Sequence, residues 1–392
     1  MRRRPLRVAL VATVACGLAG CPTDPAGPVT GPGVASATSG SKAPASPASA
    51  SSADVADQAA EGKSLSDLYV PGEPYPVPSP LPAKSIGRAA SGPAPTVAGE
   101  GGEGPIEFWI GGKGQEDGRF AYPRAMVTTS DGTLFVADKT GRIQKFDAAG
   151  KLLALVRTPG IVQGKPTGLG IDHEGKLLVA DTHYCRVLRY SADLILERWY
   201  GAPGRDPGRF MMITSAQSSG DGKLHYTTDF GDDVARVQVF RPDGTFVRGW
   251  GTFGDGQLQF KRPMNLALDE ERSRVYVADA ANHRIGVFDT EGTFVAHIGE
   301  QGREPGQLQY PYDVKIGPDG RVWVAEFGNQ RISVFEADGT YLGAWGGPGR
   351  GVGGLNRPWA VALGPKGRVW ALDSNGDHCY ALLQSAFVGG AK

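Results

Sequence analysis

One phrase recurs at near-even spacing through the last three quarters of the chain: Val-Ala-Asp or a close variant ends one apolar run, and Arg-Ile or Arg-Val begins the next. Its acids are Asp138, Asp181, Asp229, Asp279, Glu326 and Asp373, separated by 43, 48, 50, 47 and 47 residues. A period in this range belongs to arrays whose single unit cannot bury its own apolar surface and must stack on its neighbours. In the unit 262–299, segments 262–269, 274–279, 284–289 and 292–299 are β-rich, are divided by Gly, Asp and Asn, and show no sustained helical period. Four short strands in each of six units predict an all-β, six-bladed β-propeller over 105–385, with first strands on the axis and fourth strands at the rim. Residues 386–392 read as a C-terminal tail.

The ends of the array fit a closed ring. The last unit reaches a third strand at Tyr380-Ala381-Leu382-Leu383, while Ile106-Glu107-Phe108-Trp109-Ile110-Gly111-Gly112 precedes the first unit and matches fourth strands such as 246–251. The N-terminal segment is expected to complete the sixth blade and so protect edges that an open array would expose. The Gly-rich run Gly306-Gln307-Leu308-Gln309-Tyr310-Pro311 and the turns Asn282-His283-Arg284-Ile285 and Asn329-Gln330-Arg331-Ile332 carry a likeness. The array resembles NHL-repeat propellers over roughly 105–385. That resemblance implies a fold, since function varies widely among such proteins.

Ahead of the array lie two segments of different character. Met1-Arg2-Arg3-Arg4-Pro5-Leu6-Arg7 and the apolar stretch from Val8 to Ala19 have the basic start and short apolar core of an export signal. The stretch is shorter than the about 20 apolar residues of a membrane span. Leu18-Ala19-Gly20-Cys21 resembles the lipobox of bacterial lipoproteins. The resemblance implies a signal peptide over 1–20 and acylation of Cys21 with palmitate-like chains. Several chains, at about 0.8 kcal/mol per buried methylene, hold a protein stably on a membrane. Pro22 stands where an Asp would, in some diderm bacteria, favour the inner membrane, so an outer-membrane place in the cell envelope is expected. Residues 21–104 are dominated by Ala, Ser, Pro, Gly and Thr and read as a disordered tether, because they offer too little apolar surface to offset chain entropy. Cys185 and Cys379 fall in units that are not neighbours, so free thiols are expected. Lys plus Arg and Asp plus Glu are both 41. That balance argues against nucleic acid, whose binding is built on a basic surplus.

A residue found in nearly every unit reads as scaffold, because a reaction centre needs singular groups. The acids pair with Arg142, Arg186, Arg236, Arg284 and Arg331, each four to seven residues further on, within reach of the carboxylate. Glu326 replaces one acid and His378 replaces one base, so blades five and six are expected to differ locally.

Recognition is sought where equivalent positions disagree. Directly after the Pro-equivalent position the six blades carry Arg124, Thr167, Thr214, Met264, Tyr312 and Trp359, expected around the axial mouth as a pocket with aromatic walls and one cation. Asp313 lies beside them, either orienting a polar ligand together with Arg124 or pairing with it. His183, Phe230, His283 and Phe327 sit on neighbouring turns. Blade three is irregular: Ile213 replaces Pro, Ser215-Ala216-Gln217-Ser218-Ser219 replaces an apolar inner strand, and Asp232 and Asp233 lengthen a turn. The polar strand reads as a hydrated channel wall or a site, and the two acids lack the ligand spacing of a calcium loop.

The amidating lyases of peptide hormones resemble this fold and hold zinc through inner-strand His. None of the six mouth positions is His, and His183, His283 and His378 lie at unequal offsets in turns, too far apart for nitrogens at about 2.0 to 2.1 Å from one ion. No catalytic residue and no cofactor are therefore assigned. The expected function is a lipid-anchored, monomeric binding scaffold whose mouth engages an envelope protein, peptide or glycan. The alternatives are a lyase or a lactone or ester hydrolase with calcium or zinc at the mouth, and an extracytoplasmic sensor or assembly module.

Overall fold

The computed structural model describes residues 88–89, 105–160, 164–231, 233–349 and 353–387. Cys21, the expected signal and the expected tether lie outside them, save for Arg88–Ala89. That dipeptide departs from a plain linker by pairing antiparallel with Leu152–Arg157 at the outer edge of blade one.

Six antiparallel sheets follow the six units. Their first strands are Pro123–Thr128, Gly168–Ile171, Ile213–Ser218, Pro263–Asp269, Pro311–Ile316 and Pro358–Leu363. Each of these inner strands touches the next around the axis, and the sixth touches the first. Ile106–Gly111 pairs with His378–Leu383, with Trp109 opposite Tyr380, and closes the ring as the outer strand of blade six.

The second strands show why these sequences stack. In Leu177–Asp181 every residue is buried. Successive side chains of a strand point to opposite faces. Leu177 and Val179 meet Phe135 and Ile143 of blade one, while Leu178 and Ala180 meet Phe210 and Phe240 of blade three. A strand covered on both faces reads as a continuous apolar run. The same division repeats round the ring, giving an apolar cluster at each of the six blade junctions. Each Leu, Ile, Val or Phe so buried contributes about 1.5–3 kcal/mol.

Backbone demands complete the pattern. Gly251, just past the outer strand Phe246–Trp250, has φ +98°, and a Cβ there would lie 2.4 Å from the Phe260 ring. Only Gly fits that turn without displacing the ring that seals the junction. At the other end Phe387, 3 % exposed, packs edge-on against Trp323 at 4.8 Å. The packed fold thus runs two residues past the expected boundary at 385.

Candidate functional site at the axial mouth

The repeated acid and base frame the site. Asp229, Asp279 and Glu326 stand directly opposite Arg236, Arg284 and Arg331 across strands two and three. Five such pairs, with Asp138–Arg142 and Asp181–Arg186, close at 2.6 to 3.1 Å. In four of the five pairs the acid also accepts a backbone N–H from the loop leading into the inner strand, as Asp279 does from Lys261 at 2.7 Å, whereas Asp181 Oδ1 has no partner among the described residues. The guanidinium donates back to carbonyls of that loop, Arg331 to Arg303, Glu304 and Gln307. Each pair therefore clamps a Gly-rich loop to its blade, a task that the sequence signals only through the pairing itself.

Above this frame the expected pocket is filled. Tyr312 stacks on Phe327 at 4.4 Å, and Trp359 meets both edge-on, at 4.8 Å from Tyr312 and 5.8 Å from Phe327. Met264 and Ala280 pack into the same cluster, with Phe230 at its margin. The void between Arg124, Thr167, Met264, Tyr312 and Trp359 measures about 240 Å³ with its open end, and clear space remains for about one water. Aromatic packing has consumed the room that the walls were expected to leave. Thr214 is not on the surface at all: it is 2 % exposed and donates to the Pro263 carbonyl at 2.9 Å.

Three cations cap the plug. The Arg124 guanidinium lies 5.0 Å from the Trp359 ring, Arg262 lies 5.2 Å from Tyr312 and 5.9 Å from Phe230, and Arg357 lies 5.5 Å from Phe327. None of the three is paired with a carboxylate among the described residues. Burial first, and then the neighbouring Arg262, lower the Arg124 pKa, while Tyr312 opposes the shift. Arg262 and Arg357 are exposed and sit just before the blade proline with φ of +61° and +62°. Tyr122 and Tyr310 occupy the same place in blades one and five with φ of 52° and 49°. Left-handed backbone at large residues costs on the order of 1–3 kcal/mol each, and at Arg262 and Arg357 the side chains lie against the mouth aromatics. Sequence reasoning missed Arg262, Arg357, Tyr122 and Tyr310; their signal was a bulky residue standing before the repeated proline.

Asp313 does not pair with Arg124. It is 1 % exposed on the channel wall, where it accepts from Lys315 at 2.7 Å, from Asn265 at 2.5 Å and from the Val361 N–H at 3.0 Å. Ser215 donates to Asn265 at 2.5 Å, and Gln217 donates to the Leu169 carbonyl at 3.1 Å. The polar inner strand of blade three is therefore tied into a network across blades two to six.

The remaining candidates are local. His283 accepts the Tyr310 N–H at 3.1 Å and stands edge-on to that ring at 4.4 Å, so it latches blade four to blade five. His183 accepts the Lys165 N–H at 3.4 Å. Burial lowers the pKa of His183, His283 and His378. Asp233 pairs with Arg205, and Asp232 lies outside the described residues. Among the described residues no three His, Cys, Asp or Glu converge as metal ligands. Cys185 and Cys379 are unpaired and buried, and burial pushes the Cys185 thiol up to about 12.

Comparison with known proteins agrees with the architecture. Residues 257–348 match a family described as a 6-bladed beta-propeller. Over 157 residues the chain is 31 % identical to peptidyl-glycine alpha-amidating monooxygenase B of Xenopus laevis, covering 37 % of this chain and 18 % of that one. Over 81 residues it is 36 % identical to protein brain tumor of Drosophila melanogaster, covering 21 % and 8 %. The chain thus spans less than a fifth of either relative. A gluconolactonase structure from Xanthomonas campestris superposes with a TM-score of 0.51 at 16 % identity, over 67 % of this chain and 86 % of that one, which is a likeness of fold.

Proposed function

We propose that this six-bladed propeller of NHL-type repeats is a non-enzymatic binding platform, held in the cell envelope by lipid on Cys21, whose mouth engages an acidic protein or peptide segment. The observation that carries the reading is the set of three arginines at the mouth, each stacked on an aromatic ring and none answered by a carboxylate among the described residues. A stacked guanidinium keeps its planar donors free for a carboxylate. Aromatic and Arg side chains are the usual anchors of protein interfaces. A filled mouth offers surface in place of a cavity, which suits a macromolecule better than a small ligand. The tether read over 21–104 would carry the ring away from the membrane toward such a partner.

A catalytic reading is the runner-up, favoured by the similarity to the amidating monooxygenase. It has little to work with at the mouth, where Asp313 is the one acid among the described lining residues and is already engaged by Lys315, Asn265 and Val361. Stoichiometric zinc or calcium in the purified protein would favour it.

The test places a photo-crosslinking amino acid at position 262 on the mouth, or at the exposed rim position 195, in the native envelope. We expect an adduct from 262 alone, and its loss on Arg357→Glu with Arg124→Ala. Equal adducts from both positions, or indifference to the charge change, would overturn the platform reading. In the same cells Cys21→Ser should move the protein out of the membrane fraction; retention there would remove the anchor.

A further inference from the structure

Blade six alone lacks the arginine that answers the repeated acid. Asp373 holds the acid's place, and His378 stands opposite it across strands two and three. In the other blades the guanidinium fills the wedge between the acid and the loop leading into the inner strand. Here that wedge is an open cleft of about 670 Å³ counting its open side, lined by Tyr122, Asn356, Asp373, Asn375, His378 and Tyr380.

The acid is set as it is in its sister blades. Asp229 and Asp279 give one oxygen, Oδ1, to backbone N–H groups of Met211, Met212 and Lys261, and the other, Oδ2, to the arginine. Asp373 likewise gives Oδ1 to the N–H groups of Asn356 and Gly376, both at 3.0 Å. It is 2 % exposed, and no cation pairs with it among the described residues. His378 does not replace the missing charge. Burial lowers the imidazole pKa, and burial first, then the nearby Asp377, raises the Asp373 carboxyl to about 6. The Asp373 carboxyl thus faces His378 in place of an arginine, with no paired cation among the described residues. Two phenol rings line the cleft: Tyr122, 43 % exposed with the Lys139 ammonium 5.2 Å from its ring, and Tyr380, stacked on His378 at 6.0 Å.

We propose that this cleft binds a guanidinium from outside the chain, which supplies in trans the arginine that five blades carry in cis. A carboxylate in a cleft lined by phenol rings suits that group in particular, because guanidinium is planar, weakly hydrated and stacks on rings, whereas ammonium is a compact and strongly hydrated charge. Its source is either an arginine side chain of a partner protein or a free arginine-like metabolite. The proposal stands apart from the mouth reading, since it uses none of Arg124, Arg262 or Arg357.

Calorimetric titration of the mature protein at pH 7.5 tests it with free L-arginine, acetyl-Gly-Arg-Gly-amide, and the lysine and citrulline versions of that peptide. Binding of an arginine probe, with the lysine peptide weaker and the citrulline peptide silent, is the expected result. Preference for the peptide assigns the site to a partner's side chain, and preference for free arginine assigns it to a metabolite. His378→Arg should fill the cleft from within, abolish binding and leave the thermal midpoint at or above that of the parent. Tyr122→Ala, at an exposed ring, should weaken binding several-fold with an unchanged midpoint. No binding of either arginine probe overturns the proposal, as does undiminished binding by His378→Arg. If that variant does not fold, undiminished binding by Tyr122→Ala overturns it instead.

Discussion

His225 is 2 % exposed in the junction of blades two and three, where its Nδ1 meets the Tyr200 hydroxyl at 3.0 Å. Burial lowers its pKa to about 4, against an opposing pull from Asp172. Between about 4 and 6.5 the unfolded chain therefore binds a proton that the folded chain refuses, so this residue's contribution is intact above pH 6.5 and is lost as the pH falls through that window. The full effect is on the order of 3 kcal/mol, because each tenfold loss of proton affinity on folding is worth about 1.4 kcal/mol. Burial raises Asp229 and Asp279 to about 6, and these acids act in the opposite sense, favouring the fold as the pH falls from 6 toward 3.8. The measurement must be differential: urea unfolding at pH 7 and pH 4.5, parent against His225→Gln. We expect the parent to lose more stability than the variant on acidification, and equal losses would show that the site does not titrate as argued. At this scale the sequence was readable wherever chemistry repeats, as in the Asp and Arg pairs. It was silent on the loop carbonyls that Arg331 grips, because a backbone acceptor has no letter of its own.

The inner strands carry the next prediction. Asp313 and Lys315 lie two residues apart on Pro311–Ile316, hence on one face of it, and their side chains meet at 2.7 Å. Removing one member of such a buried pair strands the other, at a cost of about 3–5 kcal/mol, whereas apolar replacement of both is often close to neutral. Asp313→Leu and Lys315→Met should each lower the urea midpoint strongly, and the double variant should recover most of the loss. Additive losses in the double-mutant cycle would show that the two residues are not coupled. The period-two spacing that joins them was present in the sequence. On the sequence alone Asp313 is set beside Arg124, either to orient a ligand with it or to pair with it, and Lys315 is not considered. Arg124 goes to Trp359 because four aromatic side chains fill the space in which a ligand would have separated them. How far neighbouring strands bring such groups together depends on junction packing, which strand spacing alone does not encode.

At the scale of the whole molecule the decisive contact joins the two ends of the array. Ile106–Gly111 adds to His378–Leu383, and its Ile106 and Ile110, 8 % and 2 % exposed, enter the apolar clusters on either side of blade six. This closure was foreseeable because a spare fourth strand stood ahead of the first unit while the last unit lacked one. Its energetic share follows from burial. Losing two buried isoleucines costs about 2–5 kcal/mol each. Deleting the strand also bares the backbone donors and acceptors of His378–Leu383, a template for pairing with other chains. The combined loss approaches the roughly 5–15 kcal/mol by which a typical domain is stable. A chain starting at residue 105 should therefore unfold in one sharp thermal transition, while one starting at residue 113 should melt broadly or far lower and associate on standing. The single substitution Ile110→Ala should fall between them, destabilised by about 2–5 kcal/mol with cooperativity retained. A sharp, parent-like transition in the chain starting at 113 would mean that blade six holds the ring without its borrowed strand, and that closure contributes little to stability.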